Sequence, residues 1–385
     1  MKRLALRVLL LVAIGALLLP FAVREDVGAW GFYAHKRINR MACYTLPPAL
    51  FHFYKQHIDF ISDHAVDPDR RRYASPGEAP RHYIDIDHYA TDGADPFTVV
   101  PRTWKAAVEK YTEDTLQAYG IVPWHINVMY ARLVEAFQRL NLDRILGVSA
   151  DIGHYIGDAH VPLHTTENYN GQFTNQHGIH AFWESRIPEL SAEADYDHFT
   201  GRAVYIEHPL EVAWNTVQDS HAAVDTVLGF EKTLSQQWPQ DQQYTFEQRG
   251  AATVRTYSKE YTKAYEDALG GMVERRMNAA IITLGSFWYS AWVDAGQPDL
   301  NLLDNKQVSD SLKRVIDAEN ENLKMLDKSL GREEPNQGAV RSRQSAVGSR
   351  QSAVGSGRFV EPRGRPPLRH FAKPRHASPA RGTPQ

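Results

Sequence analysis

His154 and Asp158 lie four residues apart, and so do His180 and Glu184. On a helix, residues at i and i+4 stand on the same face, so each pair can grip one metal ion without bending the backbone. His164 follows the first pair, and Pro162, Asn170 and Gly171 mark turns that could fold a second helix back beside the first. Imidazole with carboxylate is a ligand set of borderline hardness, which points to zinc before magnesium or calcium. A single His-x-x-x-Asp pair is ordinarily a surface ion pair. Two such pairs within residues 154–184, with a further histidine between them, point to a metal site. The only cysteine is Cys43, so neither a cysteine-rich zinc site nor an intrachain disulfide is available. Zinc held by His and carboxylate is commoner in catalytic than in structural sites.

The elements that must carry these residues read as helices. An apolar helix through Leu146, Val148 and Ile152 runs into His154 and Asp158, with Asp143 as its expected cap. Helical spacing is also expected over 35–42, 103–119, 126–142, 210–227, 246–269 and 273–293, and a more polar amphipathic helix over 302–330. The 273–293 stretch is the most apolar after the N-terminal run, and it belongs in the core. No β alternation of useful length stands out, so the expected class is all-α, a multi-helix bundle with the metal cluster in a cleft between helices. Residues 60–89 read as loop and are dense in possible ligands: Asp63, His64, Asp67, Asp69, His82, Asp85, Asp87 and His88. Most of these are expected to be solvated or to satisfy turns.

The ends differ in character from the body. Lys2, Arg3 and Arg7 precede an apolar run over 8–23, and Val27-Gly28-Ala29 offers small residues for a signal peptidase. Residues 1–29 thus read as a signal peptide, with a secreted or periplasmic product beginning at Trp30. From Gly331 onward there are eleven Lys/Arg against three Asp/Glu, a tail of +8 on a chain of net charge −3. Ser342–Gly348 repeats as Ser349–Gly355, and the rest is rich in Pro, Arg and Gly, so 331–385 reads as a disordered basic low-complexity tail. The body between is acidic, which argues against broad electrostatic attraction to nucleic acid.

HYIGD-x₅-H followed by H-x-x-x-E resembles the metal signature shared by the zinc-dependent phospholipases C of bacteria and the fungal single-strand-specific nucleases. The resemblance spans roughly 30–295 within an expected domain of 30–330. It implies three zinc ions. One would be held by Asp67, His82, His154 and Asp158, with Asp63 and Asp69 as alternatives to Asp67. A second would be held by His35, Asp158 and Trp30, the last through its amine and carbonyl, so that Asp158 bridges. The third would be held by His164, His180 and Glu184. The implied activity is hydrolysis of a phosphodiester by metal-activated hydroxide, with Asp67 and Asp158 as catalytic residues and Asp67 orienting the attacking water. The implied substrate is a phospholipid or single-stranded nucleic acid, with transient contact to a membrane surface in the first case. Glu184 in the last ligand position, the absence of disulfides and the acidic body favour the phospholipase side. The short spacing from Trp30 to His35 is nuclease-like. A non-catalytic zinc-binding protein is the reading from a different class.

Overall fold

The computed structural model describes residues 31–325 except 73, 74, 76, 91, 92, 250, 251 and 305; for 252 and 320–325 it describes the backbone alone. The expected leader 1–29, Trp30, and the tail 331–385 with its repeat lie outside the described residues. The described fold is helical, with one two-stranded hairpin. Four helices open it: α1 (Phe32–Ala42), α2 (Pro48–Gln56), α3 (Ile58–Asp63) and α4 (Asp67–Arg72). Then come α5 (Trp104–Tyr111), α6 (Glu113–Tyr119), α7 (Val122–Gln138) and α8 (Leu142–Ala159). After the loop and short turns of 160–208 follow α9 (Pro209–His221), α10 (Val224–Gln237), the strands β1 (Tyr244–Arg249) and β2 (Ala252–Tyr257), α11 (Lys259–Leu269), α12 (Met272–Asp294) and α13 (Asp310–Met325).

Helix α8 is the axis of the bundle. From Ile152 to Ala159 every side chain is buried, because α1, α7, α9 and α12 surround it. Asn141 rather than Asp143 caps it: its Oδ1 accepts the backbone N–H of Arg144 at 3.1 Å. Asp143 sits in the first turn and accepts Ser309 N–H at 3.0 Å. Core aromatics lock α2, α8 and α12 together. The Tyr54 and Trp288 rings stack at 4.6 Å, and the Trp288 Nε1–H donates to the Ser149 carbonyl at 3.2 Å. A stack of this kind adds about 1 kcal/mol to the area buried.

Two glycines set how closely α1 can approach α8. A Cβ on Gly153 would stand 2.1 Å from Asn39 Oδ1, and one on Gly157 would stand 2.8 Å from His35 Nδ1. Asn39 has no room to retreat, since its amide donates to the carbonyls of Ile61 and Ala150 at 3.1 Å each. Gly153→Ala is therefore expected to destabilise the fold by about 1–3 kcal/mol, the usual cost of overpacking. Denaturant unfolding reads this directly, and a midpoint equal to wild type would contradict the close approach.

Several boundaries differ from the sequence expectation for identifiable reasons. The 103–119 helix is two helices, because Thr112 adopts φ 70° and its hydroxyl accepts the N–H of Thr115, starting α6 afresh. The 210–227 helix likewise divides into α9 and α10. The largest departure is at 244–257, where the expected helix from 246 is an antiparallel hairpin with Tyr244 opposite Tyr257 and Phe246 opposite Arg255. Thr245, Thr253, Val254 and Thr256 are β-branched and suit a half-buried pleated surface. Arg186 anchors the hairpin through a fork to Glu247, and Arg249 pairs with Glu189 at 2.9 Å.

Candidate metal centre

The last turn of α8 delivers His154 and Asp158 to the inner end of a cleft. From the opposite wall α1 delivers His35, whose ring stacks on His154 at 4.0 Å. The short turn Ala79–His82 contributes His82, and the turn Pro162–Thr165 contributes His164. His180 and Glu184 come from a helical segment with a widened π turn at Phe182–Arg186. These side chains fall into overlapping groups whose ligand atoms lie within 4.8 Å of one another: His82, His154 and Asp158; His35, Asp158 and Glu184; His164, His180 and Glu184; and His35, Asp69 and His154.

Asp158 faces two ways. Its Oδ2 is 2.9 Å from His82 Nδ1 and 3.2 Å from His154 Nε2, while its Oδ1 is 3.4 Å from His35 Nε2 and 3.7 Å from His164 Nε2. Glu184 does the same one step along. Its Oε1 is 3.4 Å from His35 Nε2, and its Oε2 is 2.7 Å from His180 Nε2 and 3.3 Å from His164 Nε2. The sequence expectation gave Glu184 to a single group. In the fold it is shared between two.

Asp67, the expected loop ligand, is turned away. Its carboxylate is occupied by His64 Nδ1 at 2.7 Å and Arg70 at 2.9 Å. Asp63 is on the surface with Lys36. Asp69 stands with the cluster instead, its Oδ1 3.7 Å from His154 Nε2 and 3.8 Å from His82 Nδ1. The reason is helical phase: both residues lie in the first turn of α4, and two residues on a helix point to different sides. If the cluster holds a metal ion, Asp69→Asn is expected to weaken its binding by about 10–100-fold, whereas Asp67→Asn leaves it near wild type. Competition for zinc with a chromogenic chelator distinguishes the two, and the reverse order would restore Asp67 to the site.

Main-chain carbonyls orient the imidazoles. His154 Nδ1 lies 2.9 Å from the Ala65 carbonyl, His164 Nδ1 2.6 Å from that of His82, and His180 Nδ1 3.2 Å from that of Tyr169. Each carbonyl can only accept, so each ring keeps a proton on Nδ1 and turns Nε2 toward the cluster. Metal-binding histidines are held in this way. Behind His82 lies Glu78, buried, with its carboxylate 3.8 Å from His82 Nε2 and bonded to Tyr155 and Arg81. Glu78 escaped the sequence reading; its one signal was a position four residues before His82.

Charge and burial are in tension here. Burial opposes ionisation of Asp158, yet His154 and His164 hold its carboxyl well below the ordinary range. Glu184 is likewise buried and is pulled well below by His164, His180 and His35. Asp69 is lowered against its burial by His154, His82 and Arg72. Burial works against the His154 cation, but Asp158 and Asp69 push its pKa up to about 9. His164 is raised against burial by Asp158 and Glu184, while burial keeps His82 lowered. Three carboxylates, the buried Asp158 and Glu184 and the part-exposed Asp69, are thus ionised, and neither ring nitrogen of His35 has a hydrogen-bond partner. Such unmet donors and concentrated negative charge fit metal cations, which satisfy the lone pairs and the charge together.

The cluster lies at the floor of a cleft of about 490 Å³. Asp69, Asp158, His164, His180 and Glu184 line it together with the hairpin residues Tyr244, Arg255 and Tyr257. Gly31 is also on the wall, its Cβ position 2.9 Å from Glu184 Oε1. His160 and His177 lie outside the cluster. His160 Nδ1 is held by the Ile156 carbonyl at 2.7 Å, and burial takes its pKa down to about 3.

No family model and no curated protein matches the chain. Among solved structures, alpha toxin from Clostridium absonum is similar at a TM-score of 0.39 and 12% identity, over 74% of this chain and 67% of that one.

Proposed function

We propose that this protein is a zinc-dependent phosphodiesterase, secreted or periplasmic in its mature form. The observation that carries this reading is the doubled bridge: Asp158 and Glu184 each face two sets of imidazoles within one open cleft. Such a chain of sites suits three ions. They would be held by His82, His154, Asp158 and Asp69; by His35, Asp158 and Glu184; and by His164, His180, Glu184. Trp30, immediately before Gly31 in the chain, is proposed to complete the second set through its amine. Zinc, when bound, supplies a Lewis acid that lowers the pKa of water toward neutrality and offsets the charge of a phosphodiester.

The protein's own groups do the rest. The carbonyl-anchored histidines keep their tautomers without reorganisation. Asp69, held ionised and facing the cleft, replaces Asp67 as the group that orients attacking water and receives its proton. The hydrophobic shell around α8 excludes bulk water from the floor, which strengthens every charge interaction there.

A phospholipase C-type substrate is favoured by Glu184 in the last ligand position and by the acidic body. Single-stranded nucleic acid is the second reading, favoured by the short spacing from Trp30 to His35. Protein beginning at Trp30 and loaded with zinc should be assayed on phosphatidylcholine vesicles and single-stranded DNA, with chelator controls. Chelator-sensitive hydrolysis of either supports the phosphodiesterase reading and selects the substrate. Three bound zinc ions with neither substrate consumed would favour a non-catalytic zinc protein.

A further inference from the structure

The same cleft is lined by a run of stacked planar groups. Phe182 and Tyr257 stack at 3.7 Å and 12°, and Tyr257 and Tyr244 at 4.7 Å and 29°. The guanidinium of Arg255 lies over the outer Tyr244 ring, 3.5 Å from its centroid. The hairpin register dictates this: Tyr244 opposite Tyr257 and Phe246 opposite Arg255 put all four on one face of the ribbon. Glu247, on the other face, ties the ribbon to Arg186.

Three arginines line the cleft, and two are committed to carboxylates. Arg72 is 3.5 Å from Asp69, and Arg186 is forked onto Glu247. Arg255 is exposed and has no carboxylate within ion-pair distance among the described residues. Its stacking on Tyr244 fixes the plane of the guanidinium and leaves its edge N–H groups for an acceptor. The same stacking covers the aromatic face that a quaternary ammonium would need, because one cation already sits there.

Resting on the phosphodiesterase reading, we propose that Arg255 stacked on Tyr244 is a charge-selecting subsite. It receives a second negative charge carried by the substrate beyond the scissile phosphodiester, and it disfavours substrates with a cationic headgroup. The favoured substrate class is thus a phosphodiester with an additional phosphate or other anion, and a choline ester is the class disfavoured.

Three chromogenic esters test this: p-nitrophenyl phosphocholine, thymidine 5′-(p-nitrophenyl phosphate), and the latter with a 3′-phosphate. Zinc-loaded wild type is expected to prefer the 3′-phosphorylated ester to the choline ester by about tenfold or more in kcat/KM. Arg255→Gln should lower that preference about tenfold, and Arg255→Lys should retain part of it. Calorimetric binding of thymidine 3′,5′-bisphosphate against thymidine 5′-phosphate provides the readout independent of turnover. Wild type should favour the bisphosphate and Arg255→Gln should lose that difference. If no ester is hydrolysed but the binding difference persists and depends on Arg255, the hydrolase reading fails and the subsite stands. A preference for the choline ester, or a bisphosphate preference that survives Arg255→Gln, overturns the subsite.

Discussion

Asp158→Asn is expected to lose bound metal and to lower phosphodiester hydrolysis by about 10²–10³-fold, the largest loss for any isosteric change in this cleft. The carboxylate works with both oxygens, one toward His82 and His154 and the other toward His35 and His164. A carboxamide can offer oxygen to one side only, and its NH₂ meets the other set of imidazoles or any cation they hold. Two metal positions are therefore weakened by one substitution, with the shape of the side chain nearly unchanged. Metal analysis after dialysis is the direct check, alongside turnover of bis(p-nitrophenyl) phosphate. Wild-type metal content in the Asn variant would mean that Asp158 does not bridge.

Zinc is expected to invert the dependence of stability on pH above neutrality. In the metal-free protein His154 has its pKa raised to about 9. A raised value stabilises the fold fully below the unfolded pKa of about 6.5, and that contribution, on the order of 3 kcal/mol, is lost as pH climbs to 9. His164 is raised and adds in the same direction. On the acid side His160, His82 and His125 are lowered by burial, His125 to about 2, so their contributions fade as pH drops below 6.5. Asp158, Glu184 and Asp69 are depressed, and theirs fade as pH falls through the carboxylate range. The metal-free protein should thus be most stable near pH 6.5. Zinc binds only the neutral imidazoles, so in excess zinc the alkaline decline should become a rise, with about 4 kcal/mol gained per site at 1,000 times Kd. Urea unfolding at pH 6.5 and 8.5, with zinc and with chelator, measures both slopes. Metal-free stability that rises between those values would contradict the ionised pairs seen in the cleft.

The bundle was legible because its core helices repeat apolar residues at helical spacing and because His154/Asp158 and His180/Glu184 carry their chemistry at i,i+4. Those signals are local, and they hold in the fold. Asp69 was harder to distinguish from Asp67 because the choice depends on the phase of a six-residue helix, which no periodicity over so short a stretch defines. Glu78 serves His82 from a loop, so its role depends on the tertiary path. From sequence alone the hairpin reads as helix, because the run into Lys259–Leu269 is continuous in polarity. Its β-branched threonines and valine were the contrary evidence, and only their pairing across the turn gives them meaning.

The widened turn at Phe182–Arg186 reconciles two obligations of one helix. An i→i+5 turn holds one residue more than an α turn, and each α-helical residue turns the chain by about 100°. Glu184 must face His35 and His180, while Arg186, two residues on, must reach Glu247 on the hairpin. Two residues apart, the two side chains leave the segment on different sides, so one short stretch meets both the cluster and the hairpin. The carboxylate cluster and the hairpin thus hang from the same five-residue stretch, and a shift in its register would move Glu184 and Arg186 together.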